Sequence, residues 1–167
     1  ALRANGLRLE VAVRTAPQRR GLTYLDSHGE RTITVLGKKL HPLGDDPLAW
    51  TELAETDGVY FTAGDQAALR EARRARVLVA TARELPTLQA AGVQLDALVH
   101  SARDLAERYE PGDLDPQPRL VVSTEGSDGG RYVADGKEGR WAPARRPRPP
   151  AEQYGTAACL AAGLAFA

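Results

Sequence analysis

Methionine is absent from all 167 residues, and cysteine occurs once, as Cys159. A single thiol excludes an internal disulfide framework and fits a reducing cytoplasm, which is the expected location. With no initiator residue, with Ala1-Leu2-Arg3-Ala4-Asn5-Gly6 reading as the end of a helix, and with Ala165-Phe166-Ala167 carrying no cap signal, the chain reads as a fragment. Net charge is missing too: 22 Lys and Arg balance 22 Asp and Glu. The domain therefore has no global field to draw in nucleic acid or an anionic membrane. Long apolar runs are lacking. The start has no secretory h-region, and the terminal stretch from Thr156 falls short of the roughly 18 apolar residues of a membrane span. His28, His41 and His100 are scattered and give no zinc spacing with the lone cysteine. No G-x-x-x-x-G-K-[ST] occurs, which excludes a Walker-type nucleotide loop from the visible chain.

What is present is enough apolar material for one domain with a sizeable core: 43% of residues are hydrophobic, though only 5% are aromatic. Residues 7–13 alternate like a strand. Residues 21–26 and 31–36 read as two more, joined by a turn at Ser27-His28-Gly29-Glu30. A polar loop follows through Gly37-Lys38-Lys39 to Gly44. From Trp50 onward short apolar strands (59–64, 77–80, 95–99, 120–124) alternate with helices (66–75, 85–91, 102–109). That alternation predicts an α/β fold with a parallel sheet covered on both faces. Arg70, Arg73, Arg74 and Arg76 read as a solvated helix face. A hairpin is expected from residues 130–134 and 140–144 around Asp135-Gly136, then a stiff Pro-rich connector at 145–150, then a small-residue helix from Thr156 in which Cys159 would be a buried, inert thiol.

Three segments carry chemistry. Gly155-Thr156-Ala157-Ala158 places a glycine at the start of a helix, where backbone N–H groups and the helix dipole can gather an anion; a plain Ala-rich core helix is the competing reading. Val121-Val122-Ser123-Thr124-Glu125-Gly126 ends a buried strand in T-x-G, a loop that lets a ligand approach the backbone at the carboxyl edge of a sheet, or an ordinary turn. Ser101-Ala102-Arg103-Asp104 is either a helix capping pair or an oxygen donor set, and both readings can hold together.

In order and spacing these segments resemble the PfkB (ribokinase-like) carbohydrate kinases. That family writes a β-lid ending in G-x-x-x-x-x-D-x-x-G-E-R, then N-x-x-E, then T-x-G, then D-T-x-G-A-G-D; the lid here is residues 20–35. The resemblance implies a three-layer α/β/α sandwich, with residues 7–44 as lid and connection and residues 45–167 as an incomplete nucleotide-binding core. It implies ATP-dependent phosphorylation of a sugar or related small alcohol, with Mg²⁺. Thr124 and Gly126 would border the nucleotide, and Gly155, Thr156 and Ala157 would form the anion hole. Ser101 and Asp104, at the Asn and Glu positions of N-x-x-E, would place Mg²⁺ through water. Gly37, Lys38 and Lys39 would meet the substrate at the lid, although surface lysines of this kind are ordinarily just solvated. The lid would also pair with a second subunit. The family's catalytic Asp falls on Ala158, which has no carboxylate, and Glu152 lies six residues too early to replace it. The chain is accordingly expected to be impaired as a kinase, and a pseudokinase-like binding or regulatory protein is the alternative.

Overall fold

The computed structural model describes residues 2–27, 31–144 and 155–166. Eight strands form two sheets. β1 (Arg20–Leu25) and β2 (Arg31–Leu36) make an antiparallel pair of their own, with Arg20 opposite Leu36 and Leu25 opposite Arg31. The other six lie in chain order: β3 (Gly58–Phe61), β4 (Val77–Thr81), β5 (Ala97–Ser101), β6 (Leu120–Thr124), β7 (Gly130–Ala134) and β8 (Lys137–Trp141). β3 to β6 run parallel, and β7 and β8 return antiparallel as a hairpin. Parallel neighbours need crossovers, and the first two are helical: α1 (Gln66–Ala72) and α2 (Leu85–Ala91). α3 (Thr156–Phe166) follows the hairpin.

Strand periodicity sorts the core into two layers. Leu78, Ala80 and Leu98 turn toward α1 and α2, meeting Ala68, Leu69, Ala72 and Leu88. Val79, Ala97, Val99 and Val122 turn the other way and pack on Ala161 of α3, flanked by Leu160 and Leu164. β4 is apolar from Val77 to Ala80 because it is covered on both faces. The result is three layers, helix–sheet–helix.

Local chemistry explains the helix ends. The Asp65 carboxylate accepts from the Ala68 N–H at 2.7 Å and so caps α1, while Gly92 closes α2 in the left-handed region. α1 stops at Ala72 rather than at residue 75, because Arg73 leaves the helix surface. Its guanidinium reaches Asp96 at 2.5 Å and the carbonyls of Ala75 and Gln94 at 2.8 and 3.0 Å. Arg73 is therefore a clamp between α1 and the start of β5, not part of a solvated face. Asp96 also accepts from the Leu78 N–H at 2.8 Å.

Two expected elements do not form. Residues 7–13 join no sheet. Val13 is 90% exposed, so the alternation has no core to face, and Arg8 pairs with Glu10 and Glu52 instead. Residues 102–109 do not make an α-helix. Asp104 caps only a single 3-10 turn, Leu105–Glu107, after which Arg108 is extended. Leu105 is 88% exposed, and Pro111, Pro116 and Pro118 prevent a restart. The third crossover, from β5 to β6, thus carries no α-helix. β5 also starts at Ala97 rather than at residue 95, and β8 ends at Trp141 rather than at residue 144. The turn residues 28–30, the Pro-rich connector and Glu152 lie outside the described residues. Among the described residues no helix is long and apolar enough to cross a membrane.

Candidate functional site

The site is built by one transverse row of the sheet. Ser101 pairs with Thr124, Thr124 with Gly130, and Gly130 with Trp141, so four strands place these residues side by side at the carboxyl end of the parallel strands. Thr124 and Trp141 line a cleft of about 330 Å³ together with Gly126, Thr156 and Ala157. The T-x-G loop and the start of α3 therefore come together across some thirty residues of sequence. The packing depends on Gly130: a Cβ there would stand 2.3 Å from the Trp141 indole and 2.4 Å from the Ser123 carbonyl. Only a residue without a side chain lets the indole lie across β7.

Gly155 enters α3 at φ +82°, a conformation that glycine adopts at no steric cost. Its carbonyl accepts from the Cys159 N–H at 2.9 Å, closing the first turn. Ala157, by contrast, sits inside the helix, with no positive φ, and tolerates a methyl group. Ala158 is exposed on the same turn and is not among the residues lining the cleft. Cys159 is exposed as well, contrary to the buried thiol expected.

The remaining expected residues are placed elsewhere. Ser101 Oγ accepts from the backbone N–H of Arg103 and of Asp104, each at 3.2 Å. Asp104 Oδ1 accepts from the Ala106 N–H at 2.9 Å, and Oδ2 from Arg83 at 2.8 Å. These are capping and ion-pair contacts, and among the described residues no three His, Cys, Asp or Glu side chains gather to hold a metal. Arg83 also binds the buried Glu107 at 2.6 Å, and that contact, ahead of the neighbouring Asp104, holds the guanidinium above its usual range. Gly37 turns at φ +93° after β2, and Lys38 is exposed. Lys39 is not a free surface cation. It forms an ion pair with the buried Glu84, tying the connection after β2 to the core.

Two residues at the cleft had no signal in the sequence. Arg103 bonds Asp128 at 2.5 Å, and its guanidinium lies 3.2 Å from where a Gly126 side chain would begin, so it roofs the T-x-G loop. Trp141 forms the apolar floor. Arg103 fills an unspecified position between Ser101 and Asp104 and is defined by its contact with the turn after β6, whereas Trp141 is defined by strand pairing.

No family model matches the sequence, and no curated protein does. Solved structures do match in shape. The described architecture has the ribokinase-like fold, a parallel-dominated sheet between helices with a small separate β-sheet. An adenosine kinase from Sinorhizobium meliloti superposes with a TM-score of 0.70 at 20% identity, over 98% of this chain and 59% of its own length. The microbiome-derived acarbose kinase Mak1 superposes with a TM-score of 0.63 at 21% identity, over 89% of this chain and 55% of its own. The chain thus spans little more than half the length of either neighbour, and the likeness is one of fold.

Proposed function

We propose that this chain is the core of a PfkB-type phosphotransferase acting on a sugar or related small alcohol, with ATP as donor. The observation that carries this reading is the meeting of Thr124 and Gly126 with Thr156 and Ala157 in one cleft at the carboxyl edge of the sheet. Backbone N–H groups at the start of α3, together with its dipole, suit the phosphates. The Trp141 indole offers a flat surface for a base. The residues present fit a nucleotide. They do not fit a protein-ligated Mg²⁺, because among the described residues no three His, Cys, Asp or Glu side chains gather to hold a metal; the metal would enter as part of the nucleotide complex, outside any ligand set of this chain. β1 and β2 carry exposed Leu22, Tyr24, Ile33 and Val35, which supports a lid that closes over substrate or pairs with a second copy.

Ala158 favours a second reading, a protein that keeps the fold and binds ligand without turnover. One experiment separates the two: ADP release by the full-length protein across a panel of sugars, beside the double variant Ala157→Gly, Ala158→Asp. Supplying a general base should raise the rate about 10²–10⁴-fold. Turnover by the variant alone identifies a kinase disabled at its base. Nucleotide quenching of Trp141 fluorescence with no turnover by either protein assigns the binding role. Absence of both removes the nucleotide reading.

A further inference from the structure

The missing third helix leaves the opposite face of β6–β8 open. A cleft of about 820 Å³ lies there, walled on one side by Tyr109 and Pro118 from the β5–β6 connection. Its floor is the neighbouring transverse row of the sheet, one residue back from the row just described. His100 pairs with Ser123, Ser123 with Arg131, and Arg131 with Arg140, and all four line the cleft. With strands about 4.8 Å apart, this polar row is roughly 14 Å long. The next row down is apolar, Leu98–Val121–Val133, and ends at Glu138. The floor is therefore amphipathic: hydrogen-bonding and cationic along one edge, aliphatic along the other.

Two features of the polar row call for a ligand. Arg131 and Arg140 face each other directly across β7 and β8, an arrangement that like charges disfavour. Among the described residues only Glu125 stands between them, accepting from Arg131 Nε at 2.6 Å and from Arg140 Nη2 at 2.8 Å. One carboxylate against two guanidiniums leaves a net positive charge at this end. His100 Nδ1 is buried and has no hydrogen-bond partner among the described residues. Such an orphan is costly unless something fills it. Asp135 and Glu138 border the far end, at the hairpin tip, where Arg119 also lines the cleft, so the uncompensated positive charge lies at the Glu125 end.

We propose that this cleft is a second ligand site, distinct from the one under α3, and that it takes a small organic phosphate or carboxylate with a flat apolar body. The anion meets Arg131 and Arg140, whose forked donors suit either group bidentately. The body lies on Val121 and Val133 against Tyr109. A ligand hydroxyl or N–H reaches Ser123. The proposal does not rest on the kinase reading.

The test is an amide-resolved NMR titration of the full-length protein with phenyl phosphate and, separately, benzoate, against phenol and inorganic phosphate as half-ligands. Saturable shifts at residues 100, 121, 123, 131, 133 and 140 are expected with at least one of the two aromatic anions, and the stronger of them names the anion class. Each half-ligand should bind roughly tenfold more weakly or worse. Arg140→Ala should weaken binding about tenfold. Val133→Ser, which leaves both arginines in place, should weaken it by a smaller factor. Saturating Mg-ADP should not displace the probe, which separates this site from the candidate nucleotide site. Shifts confined to residues 155–158, equal binding by Arg140→Ala, or no saturation at millimolar concentration of either aromatic anion would each overturn the proposal.

Discussion

The two halves of the main sheet differ in what covers them. β3–β5 lie between helices on both faces, and Leu78, Val79, Ala80 and Leu98 there have no more than traces of exposure. β6–β8 have α3 near one face and, among the described residues, no helix on the other, and Tyr132 and Val133 are each 40% exposed. Apolar residues of the same kind occur in both halves. Coverage by crossovers, not strand composition, sets which of them contribute stability, and both clefts lie toward the half with less of it. The buried half holds the fold, and the half-covered end carries the clefts.

This contrast can be broken most strongly at Leu98, which is fully buried beneath α2. Leu98→Ala should cost about 3 kcal/mol in a urea or thermal unfolding measurement, because both the transfer energy and the resulting cavity count against it. Asp96→Asn should cost about 2 kcal/mol by loosening the clamp on Arg73 and the Leu78 amide. Burial works against the charged form of Asp96. The Leu78 N–H and the guanidiniums of Arg73 and Arg119 outweigh it and hold the carboxyl below its ordinary 3.8. The contribution of Asp96 is therefore present above that value and is lost as pH falls below it, so an acid titration of stability should be shallower in Asp96→Asn.

Neighbouring valines sharpen the comparison further. Val122 faces α3 and is 4% exposed, so Val122→Ala should cost about 1.5 kcal/mol. Val133 lies on the open face, and Val133→Ala should change stability by less than about 0.5 kcal/mol. Equal costs would show that the open face is covered in solution. The smallest effect belongs to His100. Burial, with a lesser contribution from Arg131 and against the pull of Glu107 and of the Ser101 backbone, lowers its pKa from the usual 6.5. Below about 6.5 the unfolded chain binds the extra proton, so stability falls as pH drops through that value. His100→Gln should flatten the slope between about pH 7.5 and 5.5, read as the shift in Tm.

Much of the fold was legible because its signals are local. Asp-capped α1, Gly92 after α2, the apolar runs of β4 and β6 and the Asp135-Gly136 turn each announce themselves within a few residues. The helix expected over residues 102–109 failed for a reason also present in the sequence: three prolines follow it, and Leu105 would have had no face to bury. The strand expected at residues 7–13 failed because alternation specifies a face only when a sheet supplies a neighbour. Of the candidate site, Thr124, Gly126 and the start of α3 were readable from motif spacing. Trp141 and the polar row from His100 to Arg140 were not, because their neighbours come from other strands, and Arg103 was not, because its partner Asp128 lies in the turn after β6.

The sequence alone determined the alternating strand–helix order, the turn and cap chemistry, the neutral charge balance and the absence of a carboxylate at position 158. Those are properties of residue type and short-range spacing, which the backbone reads without reference to distant parts of the chain. Only the tertiary structure decided that Arg73 and Lys39 are bound rather than solvated, that Ser101 and Asp104 are engaged in caps and an ion pair, and that consecutive residues of β6 open onto two different clefts. Strand register and crossover coverage fix such contacts between residues far apart in sequence, and a pairing between strands has no trace in either strand alone.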